Sequence, residues 1–183
     1  MKAITLWQPW ASLIAIGAKK YETRSWATSY TGPIAIHAAK KDPCKMPILV
    51  EPFETALNEE LEKAGLALCL LPTGSIVATA RLVRCNKIEA EPDGTPFFRY
   101  WPTAAEILQL HRDFPGQRDY RAQRVRRFPE AERKELLFGD WTPGRYAWEL
   151  TDVKLLQKPI RTKGAQGLWN WDEKALDDQP LFV

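Results

Sequence analysis

Lys19, Glu22 and Arg24 stand in the pattern G-x-K-x-x-E-x-R inside the stretch GAKKYETRSW, residues 17–26. A lysine at a helix end and an arginine on the adjoining strand can converge on one anion, a phosphate or a developing oxyanion. A carboxylate on the arginine's strand face can hold the guanidinium in place or act as a base. Trp7, Trp10 and Trp26 bracket the segment, and an aromatic face beside cations is what base stacking uses. Alone, a K-x-x-E-x-R string reads as an exposed ion pair beside a solvated lysine, which is worth little. The helix before it and the tryptophans around it give the string its ligand-binding reading.

Other residues could join such a cleft. His37 lies beside Lys40 and Lys41; it is either a strand histidine satisfied by a backbone partner or a cleft residue able to move protons. Ser12 and Ser25 lack a G-x-S-x-G elbow, so Ser25 is a candidate hydrogen-bond donor and not a nucleophile. Lys163, with Gly164 and Gly167, forms a basic loop that either closes over a ligand or is plain surface. Further along, RDYRAQRVRRF places Arg118, Arg121, Arg124, Arg126 and Arg127 among Tyr120 and Phe128. Interleaved arginines and aromatics suit a single-stranded nucleic acid, where phosphates meet cations and bases stack. The competing reading is a solvated basic loop paired with the acidic run Glu130 to Glu135.

The elements that must position these residues follow from local pattern. Ala3 to Trp7 reads as a strand, and Pro9 suits the first turn of a helix. Trp10, Leu13, Ile14 and Gly17 follow at helical spacing, with Gly17 as its stop. Tyr21 to Trp26 should be extended, so alternation puts Glu22 and Arg24 on one face and Tyr21, Thr23 and Ser25 on the other. Ile34 to Ala38 is another strand, and Leu57, Leu61 and Ala64 mark a helix ending near Gly65. The run from Gly74 to Cys85 is the clearest strand, and Tyr146 begins another. Residues 89–145 carry Pro, Asp, Gly and many arginines, with helical spacing only over Ala104 to Leu110, and the segment reads as an insertion. After Lys163 the tail reads as loop and then a terminal strand or turn.

The 183 residues suit one domain, and 45% hydrophobic with 27% charged residues is a soluble globular balance. Apolar runs stay well short of the ~20 residues of a membrane span, and MKAITLWQPW has no signal-peptide core. The odd set Cys44, Cys69 and Cys85, without a C-x-x-C pair, predicts reduced thiols and a cytoplasmic location, with neither disulfide framework nor zinc site. A net charge of +3 permits a nucleic-acid partner without demanding one. Short strands with two interrupting helices do not form a βαβ series. They predict an α+β fold in which a mostly antiparallel barrel carries short helices over its ends.

The run QPWASLIAIGAKKYETRSW resembles the opening of ASCH domains, the activating signal cointegrator group of PUA-like barrels, whose motif is G-x-K-x-x-[ET]-x-R after a short helix opening with Q-P-W. GPIAIHAAKK looks like the family's second strand, and GRYAWELTDV with KGAQGLWNW resembles its closing part. The resemblance covers residues 3–87 and 144–171, making 1–183 one ASCH domain with an insertion at about 88–143. It implies a PUA-like barrel whose cleft binds single-stranded RNA or DNA, or a modified nucleotide, without cofactor or metal. The binding residues so implied and read together are Trp7, Gln8, Trp10, Lys19, Glu22, Arg24, Ser25, Trp26, His37, Lys40 and Lys163, with Arg121 and Arg124 from the arginine segment. Some family members are N4-acetylcytidine amidohydrolases or ribonucleases, which makes Lys19 and Glu22 the catalytic candidates of the alternative, a hydrolase. The amidohydrolases carry threonine where this chain has Glu22 and a glutamate from a later helix, so that route lacks its hydroxyl here.

Overall fold

The β-branched run that opens at Ser75 and the strand that opens at Tyr146 grow into two long antiparallel neighbours, β4 (Ser75–Ala90) and β7 (Tyr146–Arg161). In this computed structural model, which describes residues 1–46, 50–113, 124–129 and 132–176, they are the backbone of the sheet. Register shifts at Ile76/Ala78, Thr79/Arg81 and Leu82/Arg84 insert bulges between them, and bulges bend and coil a strand pair. Around this pair lie β1 (Lys2–Leu6), β2 (Tyr21–Arg24), β3 (Gly32–Ala38) and β8 (Leu168–Asn170) in the order β2-β7-β4-β3-β1-β8. β1 runs parallel to β3, and every other pairing in this path is antiparallel.

The architecture is α+β, with eight strands and four helices among the described residues. The expected barrel closure is not found among them. The hydrogen-bonded path ends at β2 on one side and β8 on the other, so the short helices cover a curved open sheet.

Helix α1 (Trp10–Ala15) begins behind Pro9 and ends before Gly17, whose φ of +78° suits a residue without a Cβ. Six residues cannot sustain a helix in water, and packing holds this one. Ala11, Ile14 and Ala15 bury against Ile4, Ile36, Val77 and Trp148, while Leu13 turns to Phe53, Leu57 and Leu61 of α2 (Phe53–Lys63).

The segment read as an insertion is more structured than its composition suggests. β5 (Pro96–Tyr100) pairs with the far end of β4, and β6 (Arg124–Arg126) pairs with β5. Phe98, Phe128 and Trp141 close around Tyr21, Ile88 and Ala147 in one buried aromatic cluster. Arg84 ties α3 (Ala104–Asp113) to the sheet, with Nη2 2.8 Å from Glu106 Oε1 and Nε 2.7 Å from Glu149 Oε2.

One expectation is reversed. Cys44 and Cys69 are joined in a disulfide, their Cα atoms 5.4 Å apart, and only Cys85 is a free thiol. Chain spacing could not reveal the pair, because the short turns at 43–45 and 68–70 come together only once α2 has folded between them. Among the described residues, no helix is long and apolar enough to cross a membrane, and no group of metal-ligating side chains assembles.

Candidate functional site

β2 places the central residues. It pairs with β7 through Tyr21↔Glu149 to Arg24↔Tyr146, and its alternation brings Glu22 Oε1 to 3.0 Å from Arg24 Nε. An Nη of Arg24 donates to the Thr5 carbonyl at 3.0 Å, which fixes the guanidinium against β1.

Lys19 is not the open cation its neighbours in sequence suggest. It is 1% exposed, donates to the Tyr21 carbonyl, and has Nζ 3.8 Å from Glu22 Oε2. Burial pushes its pKa below the ordinary lysine value, while Glu22 and Glu135 pull it back up. Glu135, on the one-turn helix α4 (Lys134–Leu137), is the residue that sequence reasoning missed. Its carboxylate accepts from the Lys20 N–H at 2.8 Å and the Tyr21 N–H at 3.1 Å, and burial raises its pKa. The motif thus rests on a buried lysine held between two carboxylates, one contributed from the far side of the arginine segment.

Two hollows meet at Glu22 and Trp10. The first, about 280 Å³, is bounded by Thr5, Leu6, Trp7, Trp10, Glu22 and Arg24. Trp7 is 52% exposed there, with the Lys41 ammonium 3.7 Å from its ring centre. The second, about 350 Å³, adds Thr23, Phe53, Phe138, Gly139, Asp140 and Arg145. Gly139 is required at that wall, since a Cβ would sit 2.9 Å from Trp141 Nε1 and 3.0 Å from Thr23 Cγ2. Thr23 Oγ1 accepts from the Asp140 N–H at 2.9 Å, which seats the loop. Nothing in local spacing announced residues 138–145, because they reach the motif only through the folded excursion.

The remaining candidates fall elsewhere. Gln8 is buried and structural, donating to Ser12 Oγ at 2.8 Å and to the Pro72 carbonyl at 2.7 Å. Trp26 stands edge-on to buried Trp148 at 4.6 Å and belongs to the core margin. Ser25 is exposed at the end of β2. His37, Lys40 and Lys163 line a third and larger cavity, about 560 Å³, which also touches Thr5. In the arginine segment, Arg118 and Arg121 lie outside the described residues. Arg124 is half-buried in β6, Arg126 is ion-paired with Glu132, and Arg127 Nη2 lies 2.6 Å from Glu91 Oε1. Two of the described arginines in that run are therefore already matched by carboxylates.

The sequence model of the ASCH domain matches residues 4–159. The chain belongs to the ASCH domain family. Two solved structures from Zymomonas mobilis are similar to it. One is a mutant form of ZmASCH, 15% identical over 98% of each chain with a TM-score of 0.43. The other is ASCH, 14% identical over 96% of this chain and 90% of that one, with a TM-score of 0.42. A search of curated proteins gives no match.

Proposed function

We propose that this ASCH domain, read as a single domain over 1–183, binds single-stranded nucleic acid or a modified nucleotide in the hollow formed by Trp7, Trp10, Glu22 and Arg24. The observation that supports this most is a half-exposed indole in the same hollow as a fixed guanidinium and a carboxylate. A base stacks on Trp7 and presents its polar edge to Glu22, which accepts from exocyclic amines, and to Arg24, which donates to base carbonyl oxygens or a phosphate. Lys19 and Glu135 hold the strand and the carboxylate in position from beneath.

The hydrolase reading has one observation in its favour, the lowered pKa of buried Lys19 next to Glu22. Against it, the Lys19 ammonium is occupied by the Tyr21 carbonyl and does not border the hollow. Binding without turnover is the reading that fits both facts.

The test has two arms. Fluorescence titration with a mixed-sequence RNA oligonucleotide, and its DNA counterpart, should show saturable binding that Trp7→Leu weakens by about ten- to a hundredfold, since one base stack is worth about 1–3 kcal/mol. Incubation with N4-acetylcytidine should leave it intact. Metal-independent product that vanishes in Lys19→Ala would replace binding with hydrolysis.

A further inference from the structure

A cavity of about 560 Å³, larger than the motif hollow, is a separate feature of the molecule. It opens where β1 and β3 meet the end of β7, and its rim carries Lys40, Arg161 and Lys163. Elsewhere the described arginines are largely matched: Arg24 by Glu22, Arg84 by Glu149, Arg126 by Glu132 and Arg145 by Asp140. Among the described residues, no carboxylate borders this cavity, and Lys40, Arg161 and Lys163 pair with none.

The floor is built to close tolerance. His37 is 2% exposed, and its Nε2 lies 3.2 Å from the Thr162 carbonyl. A neutral imidazole then donates from Nε2 and leaves Nδ1 as a bare acceptor, and Nδ1 is buried without a partner among the described residues. Gly164 passes directly over this edge: a Cβ there would lie 2.4 Å from His37 Cε1, 2.6 Å from His37 Nδ1 and 2.8 Å from Thr5 Oγ1. Only glycine lets the 162–167 turn sit so low, and Lys163 beside it lines the same cavity as Lys40. Trp169 fixes the floor from behind, edge-on to His37 at 5.8 Å and donating to Thr5 Oγ1 at 3.2 Å.

We propose that this cavity is a phosphate site, in which Lys40, Arg161 and Lys163 converge on the oxygens of a phosphate or pyrophosphate group. Uncompensated cations around a concave surface raise the local potential for an anion, and a guanidinium with ammoniums beside it matches phosphate oxygens through charge-assisted hydrogen bonds. Proton capture on His37 Nδ1 adds to the match: burial lowers its pKa, and a bound dianion favours the charged ring. The charged groups that line the cavity with the ring are those same rim cations. The site stands independently of the base-binding reading, although Thr5 borders both hollows.

The probe is inorganic pyrophosphate, followed by calorimetry and by the imidazole NMR signals. The background is His111→Gln, which removes the chain's only other histidine. Pyrophosphate should bind and raise the apparent His37 pKa. Arg161→Ala and Lys163→Ala, both at exposed positions, should each weaken it about tenfold, the loss of one charge-assisted hydrogen bond. Gly164→Ala should abolish binding, and Trp7→Leu should leave it unchanged. Displacement of pyrophosphate by an RNA oligonucleotide marks the phosphate as a chain phosphate; displacement only by a nucleoside diphosphate marks it as a free nucleotide's. Both outcomes keep the site. It is overturned if pyrophosphate fails to bind, if the rim variants bind as wild type does, or if Trp7→Leu alone removes binding.

Discussion

Replacing Glu135 by alanine should cost the fold more than any substitution of an exposed charge, although Glu135 lies on a single helical turn. Its carboxylate is 7% exposed and takes two N–H groups, those of Lys20 and Tyr21, at 2.8 and 3.1 Å. A buried donor left without an acceptor costs about 1–3 kcal/mol, and since the Tyr21 N–H is buried and the Lys20 N–H part-buried, the two together cost about 2–4 kcal/mol. Lys19 also loses one of the two carboxylates that offset its burial. Against a total stability of about 5–15 kcal/mol for a domain, a loss of about 3 kcal/mol is readily measured by urea unfolding with a shared m-value. Glu135→Gln keeps one carbonyl oxygen and should lose about half as much. The effect should be local in origin, so amide exchange at residues 19–24 should accelerate ahead of exchange in β4. A Glu135→Ala variant within about 1 kcal/mol of wild type would refute the claim that this residue clamps the motif strand.

Arg84→Ala should leave Glu149 without its partner in a site where burial already raises the Glu149 pKa; a loss of about 2–3 kcal/mol is expected, with hydrogen exchange in α3 quickening first. Reduction of the Cys44–Cys69 disulfide should lower stability by about 3.5 kcal/mol, the loop-entropy value for its 25-residue separation, read from urea midpoints with and without reductant. The depressed Lys19 pKa has a definite sign: between its folded value and 10.5 the unfolded chain holds the extra proton, so Lys19 makes stability rise with pH in that window. Comparing wild type with Lys19→Met from pH 8 upward should show that increment in the wild type alone.

How far the sequence carried depended on how local each cause was. The strand–helix–strand opening was legible because Pro9, the apolar spacing of α1, Gly17 and the alternation of β2 act within a turn or two of themselves. The sheet's long pair was legible in position but not in length, since β4 and β7 extend wherever each finds the other, bulges included. β5, β6 and α4 were not legible. They are five, three and four residues long, too short for a periodic pattern to stand out, and pairing with β4 and burial of Phe98, Phe128 and Trp141 supply the structure instead. In the site, the K-x-x-E-x-R spacing gave the Glu22–Arg24 pair correctly. It could not show that Lys19 is buried, because Glu135, whose charge acts on Lys19 and whose carboxylate takes the Lys20 N–H, lies 115 residues beyond Lys20. Strand count and resemblance point to barrel closure, but among the described residues the β2–β8 pairing that closure needs is not made.

Occupation of the hollow between Trp7 and Arg24 by a base can be read from the tryptophans themselves. The chain has eight of them, and their indole N–H signals report each ring separately in a nitrogen-15 spectrum. Titration with a mixed-sequence single-stranded RNA oligonucleotide should move the Trp7 and Trp10 signals in a saturable way and leave buried Trp148 and its neighbour Trp26 in place. Binding that leaves Trp7 and Trp10 unmoved while other indoles shift would contradict base stacking in this hollow.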